Sequence, residues 1–202
     1  MKALLYKDWL VMTKYARTIL LLDLVFVAVG FFSPDTPFFT VFPLAMSAAL
    51  ITALISYDER FHFDRTCDAM PVSRRTQVSE KYLIGLCYTA LLFVLCLLGA
   101  LRHHRAGTPE LYATVITMLC AGLLPMSLLL PVIFKLGSER GRLFYYVFYF
   151  GGLALAMVGA DAAAEIRLNL GFPIVLLAAA VLLGIYALSW RLAVRFYAAR
   201  EL

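Results

Sequence analysis

Long apolar runs separated by short charged segments dominate the chain of 202 residues. A helix that crosses a bilayer needs about 20 mostly apolar residues, and the runs match this length. The pattern predicts six membrane-spanning helices, over residues 16–32, 37–56, 83–101, 112–134, 143–160 and 171–190. Runs such as residues 91–98 do not alternate polar and apolar positions, as the strands of a membrane β-barrel would. We therefore expect an all-α integral membrane protein with one transmembrane domain over residues 1–202.

The composition excludes several classes of function. Hydrophobic residues make up 63% of the chain and charged residues only 15%, whereas soluble proteins are about 25% charged. Little sequence remains for a separate soluble domain, and the phosphate-binding pattern G-x-x-x-x-G-K-[ST] does not occur. We therefore expect that the chain is not an enzyme and binds no cofactor itself, so that any nucleotide chemistry belongs to a partner.

The distribution of positive charge predicts which loops face the cytoplasm. Fifteen of the 18 lysines and arginines lie in the N-terminal segment, in the loops 57–82 and 135–142, and in the C-terminal tail. Lysine and arginine concentrate in the cytoplasmic loops of membrane proteins, so both termini are predicted to be cytoplasmic. This asymmetry also accounts for the net charge of +5. The positive charge therefore needs no nucleic acid to explain it, and we expect no nucleic-acid partner.

Residues 1–15 are predicted to form an amphipathic helix on the membrane surface. Its apolar face consists of Leu5, Trp9, Met12 and Ala16, and its basic face of Lys7, Lys14 and Arg17. The basic face would meet anionic lipid headgroups or a protein partner, and tryptophan is favoured at the membrane interface. Alternatively, these residues extend the first span.

The loop 57–82, which we call the docking loop, carries both signs of charge. Pro71 would end any helix that continues from the second span, and Ser73 would cap a new helix that runs into the third. Its exposed apolar residues, flanked by arginines, suit a knob that docks into a groove on another protein. We assign to this role Asp58, Glu59, Arg60, Asp68, Met70, Pro71, Val72, Ser73, Arg74 and Arg75. The alternative is a solvated connector.

The loop 135–142 is too short to dock by itself. Glycines bound it, which permit backbone angles that other residues avoid. We expect it to buttress the docking loop or to touch the same partner, through Lys135, Gly137, Glu139, Arg140 and Arg142.

Asp23 is the clearest functional candidate within the spans. A carboxylate at the centre of a membrane helix costs about 2.5–3.5 kcal/mol on insertion scales and normally faces protein or water. Asp23 would therefore line the translocation path, or else be protonated or bonded to a neighbouring helix for packing. No metal site is expected, because neither His62 with Asp64 and Cys67 nor the pair His103 and His104 has ligand spacing on a convincing scaffold.

Three stretches carry a resemblance to a known family. They are MKALLYKDW at residues 1–9, DAMPVSR at residues 68–74 continuing to Val78, Lys81 and Tyr82, and PVIFKLGSERGR at residues 131–142. With the six predicted spans, the chain resembles the permease subunits of ABC-2 type ATP-binding-cassette transporters. It looks similar to small bacterial exporters of amphipathic peptides, such as the exporters of phenol-soluble modulins.

The resemblance implies an export permease in the bacterial cytoplasmic membrane. Such a subunit pairs with a second permease copy and with two cytoplasmic ABC ATPase subunits, which bind ATP and Mg²⁺. The segment before the first span would be the interfacial connecting helix, and residues 70–75 of the docking loop would contact the ATPase. The cargo would be amphipathic peptides or other hydrophobic compounds. Two other functions stay open: a membrane anchor or sensor for a cytoplasmic partner, and a membrane-embedded enzyme that uses Asp23 or the region of His62.

Overall fold

The computed structural model describes residues 2–32, 38–61, 63, 73–103, 108–138, 140, 141, 143, 144, 147 and 172–199. Within these ranges every regular element is a helix. In chain order the helices are α1 (Lys2–Tyr15), α2 (Arg17–Phe32), α3 (Phe38–Arg60), α4 (Arg74–His103), α5 (Pro109–Leu136) and α6 (Phe172–Ala198). The all-α prediction is thus confirmed for the described residues.

Four helices, α3 to α6, are each long and apolar enough to cross a membrane. The pair α1 and α2 bends by 75° at the break between them and counts as one further candidate. The chain is therefore a multi-pass membrane protein with four or five candidate spans in its described part. The predicted fifth span, 143–160, lies almost entirely outside the described residues, so the total of six stays a prediction.

Local sequence signals account for the helix ends. The Ser73 hydroxyl accepts a hydrogen bond from the Thr76 backbone N–H at 3.2 Å, which confirms the predicted cap of α4. Thr108 caps α5 through the Leu111 N–H, and Pro109 follows at the first helical position. Gly137, with φ 86°, ends α5 in a left-handed conformation that favours glycine.

Helix α4 begins earlier than its predicted span because the end of the docking loop is helical. Its 30 residues extend about 45 Å at 1.5 Å per residue, whereas the hydrocarbon core of a bilayer is about 30 Å thick. The apolar stretch of α4 starts at Leu83. Residues 74–82 therefore form polar turns that project beyond the apolar layer.

Helix α3 is central to the bundle and contacts α1, α2, α4 and α5, while α6 packs on α5 and α4. Leu50, Ile51 and Leu54 of α3 are almost fully buried. By contrast, α6 exposes many leucines, such as Leu177 and Leu188, as a lipid-facing surface would. Association of helices in lipid depends on close packing rather than on the hydrophobic effect.

Gly122 marks a close approach of α5 to α4. A Cβ added there would lie 2.7 Å from Cγ2 of Thr89, a β-branched side chain with little rotamer freedom. We expect Gly122→Ala to destabilise the purified protein by about 1–3 kcal/mol through overpacking, measured as a lower melting temperature in mild detergent.

Gly184 provides the matched control, because a Cβ added to it has no atom within 4 Å. Gly184→Ala should leave the melting temperature unchanged or slightly raise it. Equal melting temperatures for the Gly122→Ala variant and the wild type would contradict the packing described for α4 and α5.

Candidate functional site

Two lysines and two aspartates from three helices form a closed ring of ion pairs. The Lys81 ammonium of α4 lies 2.5 Å from Oδ2 of Asp8 in α1 and 2.6 Å from Oδ2 of Asp58 in α3. The Lys7 ammonium lies 2.7 Å from Oδ1 of Asp58 and 3.0 Å from Oδ1 of Asp8. We call these four residues, together with the adjacent Glu80, the charge cluster. The end of the bundle that carries it is the charged end.

Burial makes the pairing of these charges obligatory. Asp8 is fully buried and Lys81 is 5% exposed. An isolated charge at such a site costs several kcal/mol, but here each buried charge contacts two partners of opposite sign. Although burial acts to raise it, Lys81 and Lys7 lower the pKa of Asp8. Burial likewise acts to lower the pKa of Lys81, and Asp58 and Asp8 raise it. The charges of Asp8 and Lys81 therefore persist at neutral pH.

Glu80 adds a third carboxyl group to the cluster. It is 2% exposed, and among the residues that the structure describes its Oε1 atom has no hydrogen-bond partner. The two lysines already balance the two aspartates, so another negative charge would be uncompensated. Burial and the neighbouring Asp8 carboxylate raise the pKa of Glu80 to about 8. Glu80, which precedes the apolar stretch of α4, is therefore largely protonated at neutral pH.

The segment after α5 closes onto the end of α3. The Ser138 backbone N–H donates to Oε2 of Glu59 at 2.7 Å. Gly137 bends the chain at this point, and a Cβ on Gly141 would lie only 2.5 Å from Cγ1 of Ile133. This hydrogen bond joins the loop 135–142 to the start of the docking loop through Ser138, which was not among the predicted residues, so the predicted supporting role stays a prediction.

Two of the residues predicted for this second loop, Lys135 and Arg140, lie at the protein surface. Lys135 is exposed, with its ammonium 5.1 Å from the ring centroid of Phe196, and Arg140 is exposed. Glu139 and Arg142 lie outside the described residues.

The structure places the two ends of the docking loop at the charged end. Lys7 also lies 3.8 Å from the ring centroid of Phe63, which brings the start of the loop to the cluster. At its other end Arg74 donates to the Ala198 carbonyl at 3.4 Å, and exposed Arg75 lies 5.2 Å from the Trp190 ring. Arg60 is exposed at the end of α3. Of the predicted docking residues, Asp68, Met70, Pro71 and Val72 lie outside the described residues.

The predicted basic face of α1 is wrong at Lys7. Lys7 points into the protein toward Asp58, whereas the Trp9 side chain is 62% exposed. The buried positions are Leu4, Asp8 and Met12. Transfer of the Trp9 indole from lipid into the protein would add little stability, because lipid is itself apolar. The buried Asp8 carboxylate, in contrast, needs the Lys7 ammonium as a partner. Lys14 and Arg17 are exposed, as predicted.

Asp23 lies between two helices and away from the charge cluster. It is 1% exposed, and the Tyr88 hydroxyl of α4 donates to its Oδ2 atom at 2.5 Å. In this conformation the carboxyl group joins α2 to α4. Among the side chains that the structure describes, no group of three or more histidines, cysteines and carboxylates has an arrangement that could hold a metal ion. His62, Asp64, Cys67 and His104 lie outside the described ranges.

Two cavities accompany these features. One of about 30 Å³ lies beside the charge cluster, between Lys7, Asp58 and Glu80, which is room for a single water molecule and not for a cargo. The other, of about 200 Å³, is an apolar cleft between α4, α5 and α6. Its lining consists of Leu86, Thr89, Ala90, Phe93, Val94, Met118, Leu119, Leu123, Ala179 and Leu183.

Sequence reasoning did not single out Asp8, Glu80 or Lys81 as functional residues. One signal was present, since Asp8 stands among apolar and aromatic residues in α1. An ionisable group in such surroundings calls for a partner, but apart from the adjacent Lys7 the partner of Asp8 is Lys81, which lies 73 residues away in the chain.

Removing the Lys81 ammonium should leave the buried carboxylate of Asp8 and the part-buried carboxylate of Asp58 under-compensated. We expect Lys81→Met to lower the free energy of unfolding by about 3–5 kcal/mol, read as a loss of thermal stability in detergent or nanodiscs. Lys7→Met is the control and should cost less, because the Lys7 side chain is 24% exposed. An equal or smaller loss for Lys81→Met would contradict the role given to Lys81.

Glu80 should make stability depend on pH. Its pKa in the folded protein, about 8, lies above the ordinary value of 4.5, so the folded state binds more protons between these limits. Stability should therefore fall as pH rises from about 5 to 8. Glu80→Gln, which stays neutral, should flatten this slope of melting temperature against pH. Identical slopes for variant and wild type would show that Glu80 does not titrate as described.

Comparison with known proteins yields one family assignment. The family profile described as ABC-2 family transporter protein matches residues 3–198. Neither the curated proteins nor the solved structures include a match to the chain. The matched range contains the whole charge cluster and, except for Lys2, all six described helices. The chain belongs to the ABC-2 family of transporter proteins and is the permease subunit of an ABC transporter, which works with an ABC ATPase subunit.

Proposed function

We propose that this permease exports amphipathic peptides or other hydrophobic compounds from the bacterial cytoplasm, and that its charged end receives the movement of the ATPase. Two identical permease copies would form the transmembrane part. Two ATPase subunits would bind ATP and Mg²⁺ and dock on the two docking loops. The chain itself would bind no cofactor and catalyse no reaction.

One observation carries this proposal: the docking loop leaves and re-enters the bundle at the charge cluster. Asp58 and Glu59 stand where the loop begins, and Lys81 follows where it ends. Through these residues the loop is bound to α1, to α3, to α4 and to the segment after α5. A force applied to the loop is thereby transmitted to several helices together, as coupling to ATP hydrolysis requires.

The distribution of charge and the angle between α1 and α2 support the proposed sidedness. The lysines and arginines that predict cytoplasmic segments include Lys7, Arg74, Arg75 and Lys81 at the charged end. With α2 crossing the bilayer, the bend of 75° lays α1 close to the membrane plane. Exposed Trp9, Lys14 and Arg17 then suit the headgroup region. We infer that α1 is an interfacial helix, although its buried face differs from the predicted one.

The apolar cleft supports a hydrophobic cargo. Nine of its ten lining residues are apolar, and Thr89 is the exception. Its volume of about 200 Å³ is below the 300–1,000 Å³ of typical ligand pockets. It suits one apolar side chain or a short acyl segment of a larger molecule. Asp23 is a second candidate contact for cargo, on the condition that its bond to Tyr88 opens during transport.

Purification of the tagged permease from its native membrane tests the partnership. We expect a stoichiometric ABC ATPase subunit to accompany the chain, and the preparation to hydrolyse ATP faster when cargo is added. A partner without cargo-stimulated hydrolysis would instead indicate an anchor or sensor. Turnover of a lipid substrate by the isolated chain without ATP would indicate a membrane-embedded enzyme.

Charge reversal in the docking loop tests where the ATPase binds. We expect Arg74→Glu combined with Arg75→Glu to abolish cargo-stimulated ATP hydrolysis and ATPase recovery, while membrane insertion stays normal. Arg102→Glu is the matched control, because Arg102 is an exposed arginine at the other end of α4 and also lies over an aromatic ring, Phe31 at 5.0 Å. Normal coupling in the double variant would contradict docking at Arg74 and Arg75.

A further inference from the structure

Helix α5 contains a proline whose missing hydrogen bond is supplied by another helix. Pro131 lies inside α5 and has no backbone N–H. The carbonyl four residues earlier, that of Ser127, therefore lacks its usual helical donor. The Ser189 hydroxyl of α6 donates to this carbonyl oxygen at 2.6 Å. Ser189 and Pro131 are both buried, so no water replaces this bond at the surface.

A second hydroxyl group orients the first. The Tyr82 oxygen of α4 lies 2.7 Å from the Ser189 oxygen. Because the single proton of Ser189 is directed to Ser127, Tyr82 is the donor in this pair. The Tyr186 hydroxyl donates in turn to the Tyr82 carbonyl at 2.7 Å. The chain of donors therefore runs from α4 through α6 to the proline break in α5.

We propose that Tyr82 and Ser189 form a latch on the proline break of α5. The latch replaces the hydrogen bond that Pro131 removes. It also holds this part of α5 against α4 and α6. Tyr82 directly follows Lys81 of the charge cluster, so displacement of the first turns of α4 passes to α5 at Pro131. The latch is a conformational device within the fold, and its test needs neither the ATPase nor a cargo.

Two neighbouring contacts also join α4 and α6, both within the last residues of the docking loop. The Tyr197 hydroxyl donates to Oε1 of Gln77 at 2.8 Å, and the Trp190 ring N–H donates to the Ser79 hydroxyl at 3.0 Å. These bonds hold Ser189 in register with Tyr82.

Pro125, in the same helix, offers an internal comparison. It leaves the Ala121 carbonyl without its helical donor. In the part of the chain that the structure describes, no side chain donates a hydrogen bond to that carbonyl.

A double-mutant cycle tests the latch. Ser189→Ala is introduced into the wild type, into Pro131→Ala and into Pro125→Ala, and the melting temperature of each purified permease is measured in nanodiscs. Pro131→Ala restores the backbone N–H, so Ser127 regains a donor. We expect Ser189→Ala to lower the melting temperature by about 2–6 °C in the wild-type and Pro125→Ala backgrounds. In the Pro131→Ala background the loss should be less than half as large.

An equal loss in all three backgrounds would overturn the latch, because it would mean that Ser189 acts through packing alone. Hydrogen–deuterium exchange gives a second readout: exchange of the amides of residues 127–136 should rise in Ser189→Ala and return toward wild type when Pro131→Ala is added. Unchanged exchange would also overturn the proposal. Ser189→Cys, which keeps the size but donates weakly, is measured in the same backgrounds if Ser189→Ala does not fold.

Discussion

The buried ammonium of Lys81, held between Asp8 and Asp58, is the constraint on which the charged end depends. A charge in this position needs both carboxylates, and the carboxylates need Lys81 and Lys7 in return. This mutual requirement turns Lys7 inward and leaves Trp9 exposed, so it determines which face of α1 is buried. It also determines where α3 ends beside α4, and hence where the docking loop begins and returns.

Two adjacent groups of polar contacts, the charge cluster and the latch, connect the helices of this permease. Lipid provides no hydrophobic drive for helices to associate, so close packing and hydrogen bonds determine their arrangement. The charge cluster joins α1, α3 and α4, and the bond from Ser138 to Glu59 adds the segment after α5. One residue further along α4, Tyr82 and Ser189 connect to α5 and α6. On this view, the charge cluster moves with the docking loop when an ATPase displaces the loop. The displacement is then transmitted through Tyr82 and Ser189 to α5 at Pro131.

Hydropathy alone predicts most of the described fold, because the bilayer requires long apolar helices. The expected spans 37–56 and 112–134 correspond to α3 and α5 with differences of at most four residues at each end. The start of α4 differs more, since Ser73 caps a helix whose first turns are polar. The charge cluster was beyond prediction: the periodicity of α1 places Lys7 with Lys14, and no local pattern pairs Asp8 with Lys81 or Lys7 with Asp58. Asp23 was identified as unusual, but its partner Tyr88 depends on how α2 packs on α4.

The central claim is that the charge cluster keeps α1, α3 and α4 together as one body while the transporter works. The most direct test is a distance measurement by electron paramagnetic resonance between spin labels at Thr13 of α1 and Leu83 of α4, two exposed positions. Labels are attached to introduced cysteines after the native cysteines are replaced, in the complex with its ATPase. We predict the same distance distribution in the nucleotide-free and ATP-bound states. A distribution that shifts on ATP binding would show that α1 and α4 separate, which contradicts the claim.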